Sequence, residues 1–388
     1  MKDNGKVLRL VGNGLVCVVF VVSVLVLLGG MLPIVMAMGP WNGSGGEEQA
    51  RVQAMNRARE ANMFAEISYA DGKFTGKYIE FEVLDGKITN YTVGEAKTKV
   101  FEQIEVADFG YSGEYARGAV VQINGTNSKI LAHNNPASLL HITKSSSEIK
   151  HVNITLSSGI IAEKVGNGSN LKLSGAVDAV ILVGSSVTDV SGNVIRINYT
   201  QQSCGITIRF KPGLPEAYRE QIQKYAREGR LGGEIDVVAN EGQYVEDTQG
   251  YEHNAMISVK SMEQNRLRIR VNAEYTEGKL FRIGLDSATA GTTDGKKLQA
   301  KLDGSKMKRV SLEELGQYQE QNRNEAAYCV ESNGAGFDII AYVPHFSEHE
   351  ILIEKSAESA KGLPGFEVVA LVAAIGVAAL LLSVRRRM

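Results

Sequence analysis

Cysteine, proline and tryptophan are scarce in this 388-residue chain, which has three Cys, seven Pro and one Trp. So few cysteines exclude a small fold stapled by disulfides, and stability must come from buried apolar surface. Little proline beside 41 glycines suits many short strands joined by tight turns. One tryptophan (Trp41) and 7% aromatic residues are thin for a face that stacks on sugar rings. Charge of one sign is lacking as well. A net charge of -2 offers no basic excess for nucleic acid and no acidic block for a disordered tail. Recognisable catalytic motifs are missing too: there is no HExxH, GxSxG or CxxC, and no phosphate-cradling glycine loop before a helix. The length leaves room for two or three domains, each with its own core.

What is present stands out first at the two ends. Lys2, Lys6 and Arg9 precede the apolar run LVCVVFVVSVLVLLGG, which gives way to small residues at Val35 and Ala37. The pattern predicts a secretory signal peptide over residues 1–37, cut after Ala37. The alternative is an uncleaved anchor, because Leu15 to Ala37 is long enough to span a bilayer. At the other end Val368 to Val384 carries no charge and would reach about 26 Å as a helix, barely enough to cross. Arg385, Arg386 and Arg387 follow at once, where cytoplasmic positive charge is expected. The body between the two ends is therefore expected outside the cell, with the membrane as its first partner.

Pro364, Gly365 and Phe366 stand just ahead of that helix. Together with the apolar segment and the three arginines, they resemble the archaeal PGF-CTERM sorting signal. The resemblance covers residues 364–388 only. It implies recognition by an archaeosortase, which removes the helix and leaves a lipid-anchored protein on the cell surface. The long Thr- or Asp-rich stalk common in that family is replaced here by the short stretch 355–363, so the folded body should lie close to the membrane. The segment AYVPHFSEHEILIE also resembles a terminal β-domain found before such signals, which implies nothing catalytic.

Between the ends the rhythm is that of strands. Residues 38–61 read as a linker with a short helix whose stripe is Val52, Met55 and Ala58. Runs such as KYIEFEV, KITNYTV, KVFEQIEV, KHVNIT and GITIRF then alternate with Gly, Asn, Asp or Ser, and Asp71-Gly72 and Asp85-Gly86 are hairpin turns. This predicts a β domain over 62–211, sandwich-like or, alternatively, an irregular β-solenoid. An amphipathic helix occupies 212–232, with Leu214, Ala217, Tyr218, Ile222 and Tyr225 on one face. A second, membrane-proximal β domain follows over 233–354, with clean alternation in Leu267, Ile269, Val271 and in Ile351, Ile353, as in a sheet with one wet face. The fold class expected is mainly β: two sandwich-like domains, one intervening helix and a hydrophobic helix at each end.

Candidate chemistry is sparse. Asn42, Asn90, Asn124, Asn153, Asn167 and Asn198 each open an Asn-x-Ser/Thr sequon, and all lie in the first half of the chain. Cys204 and Cys329 either form a bridge, if their Cα atoms approach to roughly 6 Å, or stay as buried thiols. His345 and His349 are spaced for a metal on a helix, but Pro344 and the following ILIE favour extended chain, where they would sit about 13 Å apart. His133, His141 and His151 read as surface residues. Asp236, Glu246 and Asp247, or Glu331 and Asp338, are the carboxylates from which a catalytic pair would be drawn, but a solvated face is the expected reading. No catalytic residue, metal or cofactor is therefore expected.

The function these features imply is that of an exported, N-glycosylated archaeal envelope protein with a structural role, associated with surface-layer or other envelope glycoproteins and not with nucleic acid. A surface module binding polysaccharide or a partner protein is the alternative, and a secreted hydrolase with a dispersed site the second.

Overall fold

The computed structural model describes residues 45–144, 151–165, 170–183, 186–199, 205–211, 216–251, 255–263, 266–272, 277–345 and 347–356. Both terminal segments, with Ala37, Asn42, Pro364, Gly365, Phe366 and the three terminal arginines, lie outside the described residues, as do Asn167 and Cys204. Helix α1 (Gly45–Glu60) precedes β1 (Ser68–Ala70), β2 (Lys73–Thr75), β3 (Ile79–Leu84), β4 (Lys87–Val93), β5 (Thr98–Val106), β6 (Tyr111–Arg117), β7 (Val120–Gly125) and β8 (Ser128–His133). The block continues with β9 (Leu140–Lys144), β10 (His151–Leu156), β11 (Ile160–Lys164), β12 (Leu171–Gly175), β13 (Ala179–Leu182), β14 (Ser186–Ser191), β15 (Val194–Tyr199) and β16 (Ile206–Phe210). Helix α2 (Glu216–Arg227) leads to β17 (Leu231–Asn240), β18 (Gln243–Gly250), β19 (Met256–Glu263), β20 (Arg266–Asn272), β21 (Lys279–Asp286), β22 (Leu298–Leu302), β23 (Ser305–Lys306) and β24 (Lys308–Arg309). Helix α3 (Leu312–Glu320), β25 (Ala327–Ser332), β26 (Gly336–Val343) and β27 (His349–Lys355) complete it.

The first block is two eight-stranded sheets, in the orders β1-β2-β3-β4-β5-β10-β15-β14 and β11-β12-β13-β16-β9-β8-β7-β6. Among the described residues its pairings are all antiparallel, which excludes a solenoid coil and leaves the sandwich-like arrangement. Alternation decides which face goes inward. In β10, Val152, Ile154 and Leu156 are buried in the core shared by the two sheets, while His151, Asn153 and Thr155 look the other way. Asp71, Gly72, Asp85 and Gly86 all have positive φ, between 51° and 77°, as the expected two-residue hairpin turns demand. A row of rings crosses the first sheet from Tyr69 through Phe74, Phe81 and Tyr91 to Phe101, with neighbouring centroids 4.5–5.7 Å apart. All but Tyr69 are buried.

The second block stacks a six-stranded sheet, β18-β17-β21-β26-β25-β24, on a five-stranded one, β19-β20-β27-β22-β23. Ile235, Val237, Ile283 and Ile339 meet Ile269, Val271, Ile351 and Ile353 between them. The far side of the six-stranded sheet is not wet. Tyr225 and Ile222 of α2, with Leu315 and Tyr318 of α3, cover Leu280, Ile340 and Tyr342 there.

Helix α1 differs from the expectation for residues 38–61. Its buried stripe is Ala50, Ala54 and Ala58, while Val52 is exposed. The small residues let the helix lie close against Val238 and Val245 of β17 and β18. A segment that precedes the first block in the chain thus packs on the second.

Candidate functional site

Strand β16 is buried on both faces. Ile206, Ile208 and Phe210 fill the first core, so Thr207 and Arg209 must point out of it, toward the second block. Strand β17 does the mirror thing: Ile235 and Val237 enter the second core, leaving Glu234 and Asp236 on the opposite face. Arg209 and Glu234 therefore meet across the seam, Nε donating to Oε1 at 2.8 Å and Nη2 to Oε2 at 3.3 Å. Tyr251 donates to Glu234 and Gln223 of α2 accepts from Arg209 Nη1 at 2.6 Å.

Arg282 of β21 sits beside this pair and uses all five N–H groups. Nε and one Nη2 hydrogen go to Asp338 at 3.0 Å each. The rest go to Asp236 at 3.0 and 3.2 Å and to Glu234 at 3.2 Å. Tyr218 Oη and Asn333 Nδ2 add donors to Asp338, at 2.6 and 2.9 Å. Gly284 makes room for this arrangement, because a Cβ there would stand 1.9 Å from Asp236 Oδ1. From the first block, His133 Nδ1 and Asn135 Nδ2 each reach Asp247 of β18 at 2.6 Å.

Burial and the arginines pull these groups in opposite directions. Burial alone would raise Glu234, but Arg209 and Arg282 outweigh it and hold the carboxyl at about 2. At Asp236 burial wins over Arg282, helped by the like charge of Asp338, and the carboxyl is raised to about 7. Glu246, on the other face of β18, is also raised by burial, to about 7, against a hydrogen bond from the Val259 amide. Arg209 and Arg282 are raised despite burial by the carboxylates around them.

A cavity opens between these residues. Its interior, taken as the space open to the centre of a water molecule, is about 40 Å³. Its lining includes Asn135, Asp236 and Asp247 together with Met63, Leu139 and Ile222. Of the lining residues, Asn62 is exposed and Ala61, Pro136, Arg282 and Ala335 are half-buried. Asn135 is 4% exposed, and its Oδ1 has no hydrogen-bond partner.

Neither a protein-family model nor a curated protein matches this chain.

The structure corrects several expectations at this seam. Asp236, Asp247 and Asp338 are not on a solvated face, and Asp338 is 0% exposed. Asp236 faces Asp247 across β17 and β18, and Glu331 faces Asp338 across β25 and β26, so both sequence-picked sets contain cross-strand neighbours. His133 and His141 are buried, not surface residues, and His141 Nδ1 lies 2.8 Å from Thr207 Oγ1. His151 is half-buried beside Arg196. The rings of His345 and His349 lie 5.7 Å apart, far closer than the spacing expected of extended chain. His349 is held by Asp303 Oδ2 at 2.6 Å and the His345 carbonyl at 2.9 Å. Among the described residues no group of three or more His, Cys, Asp or Glu is arranged to hold a metal. Cys329 is a buried free thiol, raised by burial, so the bridge left open in the sequence is not formed at that end.

Of the sequons, Asn90 is exposed and Asn124, Asn153 and Asn198 are half-buried. Asn153 pairs with Arg196 and Asn198 with His151, which puts both on the polar outer face of the first sheet. Asn90 donates to Glu82 on that same face, at 3.2 Å. Its φ of 53° gives it a backbone role too, since Asn tolerates the left-handed region. No helix among the described residues is long and apolar enough to cross a membrane.

The residues that sequence reasoning missed are Arg209, Glu234, Arg282 and Asn135. A signal existed for two of them, because Arg209 is the lone charge in ITIRF and Arg282 is the lone charge in the inner run LFRIGL.

Proposed function

We propose that this is an exported, membrane-anchored, N-glycosylated protein of the archaeal cell envelope, with an architectural and not a catalytic role. The observation that carries the role is the seam. Two β blocks joined by buried charge pairs and by two helices make one stiff body, as a spacer between membrane and surface layer requires. Buried ion pairs of this kind fix geometry more than they add stability. The carboxylates of the seam already accept hydrogen bonds from guanidinium, amide, phenol or imidazole groups, which leaves them poorly placed as nucleophiles or bases. The exposed Asn90 and the half-buried Asn153 and Asn198 on the outer face support glycan attachment on the first sheet. Processing at Ala37 and at Pro364-Gly365-Phe366 is proposed from the sequence alone.

The test is intact-mass analysis of the protein extracted from membranes. Loss of residues 1–37 and of the C-terminal helix, with added lipid and glycan mass, is the expected result. A full-length, unmodified mass from a cytoplasmic fraction would overturn the proposal.

A further inference from the structure

Asp303-Gly304 is another Asp-Gly hairpin turn, joining β22 to β23 with φ of 49° and 81° at the two residues. The turn lies against the start of β27. The Asp303 amide donates to the Glu350 carbonyl at 2.9 Å, and Asp303 Oδ1 accepts from the Glu350 amide at 2.8 Å. Its second oxygen, Oδ2, is 2.6 Å from Nδ1 of the buried His349. The other nitrogen of that ring, Nε2, is 2.9 Å from the His345 carbonyl oxygen. Burial works against the Asp303 charge, but the Glu350 amide and His349 outweigh it and hold the carboxyl below its ordinary value. An ionised carboxylate and a carbonyl can only accept, so both ring nitrogens must donate. A neutral imidazole has a single N–H and can serve one of the two. The ring that fits this arrangement is therefore the imidazolium.

We propose that His349 is a proton-operated latch, which ties the His345 main chain to the Asp303 turn while both ring nitrogens carry a proton and releases one of the two when a proton is lost. Whichever proton leaves, a ring lone pair is then turned on an oxygen, and that contact repels. The closed latch holds one proton more than an open one with a neutral ring, so falling pH closes it and rising pH opens it. The charges around the ring have other partners. On β20, Val271 is the cross-strand neighbour of His349, and Arg270 beside it pairs with Glu348 at 3.2 Å. Glu350 is held by Lys260 at 2.7 Å and by Arg268. The His345 ring, 5.7 Å away, is itself titratable, but it is the main-chain carbonyl of His345 that the latch grips.

The test is amide hydrogen exchange of the full chain in detergent, read by mass spectrometry and corrected for the intrinsic pH dependence of exchange. Between about pH 5.5 and 8, protection of the peptides that carry Asp303 and Glu350 should fall roughly threefold or more. Asp303→Asn is the discriminating variant. Its Oδ1 can still accept from the Glu350 amide, while its Nδ2 donates to a neutral Nδ1 and leaves the Nε2 hydrogen for the His345 carbonyl. The latch should then stay closed across the range, with protection independent of pH. His345→Ala keeps the carbonyl and should keep the pH dependence. Circular dichroism checks that each variant is folded, and if Asp303→Asn fails that check, the unmodified chain and His345→Ala decide. Protection that does not change with pH in the unmodified chain overturns the proposal. So does an undiminished pH dependence in folded Asp303→Asn, or its loss in His345→Ala, which would place the titration on the wrong ring.

Discussion

Asp236 shows how burial can set the charge state of a single side chain. It faces Arg282 on β21, Asp338 on β26 and Asp247 on β18, and burial raises it to about 7 in spite of two guanidinium hydrogen bonds. The unfolded chain gives up this proton near pH 4, the folded chain only near 7. Between those values the folded state binds more protons, so stability falls as pH rises through the window. For Asp236 alone the loss is at most about 4 kcal/mol. Glu246 adds to it in the same direction. Glu234 acts in a different window: its contribution is complete above its unfolded value and is lost only as pH falls toward 2. Urea unfolding of the protein and of Asp236→Asn between about pH 5 and 8 checks this. The substitution should flatten the decline, whereas parallel curves would mean that Asp236 is ionised throughout. The sequence shows Asp236, Asp247 and Asp338 as the polar half of an alternating pattern. Period-two alternation tells which face a residue occupies but not what covers that face. Hence the expectation of a wet surface, where the structure has an interdomain seam.

At the scale of elements, legibility follows the strength of the local signal. Asp-Gly turns and runs such as KHVNIT and GITIRF announce their strands, and β4, β10 and β16 lie where the pattern puts them. β18 was illegible, because its buried face is Val245, Asp247 and Gln249, which reads as polar on both sides. β6, with Gly113 inside and no buried residue, gives no alternation at all. α3 is only nine residues long and is marked chiefly by its N-cap, Ser311 accepting from the Glu314 amide at 3.1 Å. The charged run EEQARVQAMNRAREA announces helix α1 but not its packing stripe. Alanine carries little hydrophobic signal, yet Ala54 and Ala58 set the approach to β17 and β18. Ala54→Leu should therefore overpack the contact and destabilise the protein by about 1–3 kcal/mol. Val52→Leu, on the exposed side of the same helix, should stay within about 0.5 kcal/mol. Thermal unfolding of the two variants compares them, and equal effects would contradict the alanine-faced contact.

The whole molecule is held by what crosses between its two β blocks. Arg209 and His133 reach from the first block to Glu234 and Asp247 of the second. α2 lends Gln223 to Arg209 and Tyr218 to Asp338. α1 seats Ala54 and Ala58 on the second block in a cluster that also takes in Ala119 of the first. Separating the blocks would expose the apolar surface they share, where Ala137 and Leu139 of the first block cluster with Tyr218 and Ile222 and Ala119 with Ala54 and Ala58. The account therefore requires the blocks to unfold together. Differential scanning calorimetry of the detergent-solubilised chain measures this directly. One transition, with calorimetric and van't Hoff enthalpies equal, is the predicted result. Two resolved transitions would show the blocks melting as independent domains, and the stiff seam would not exist.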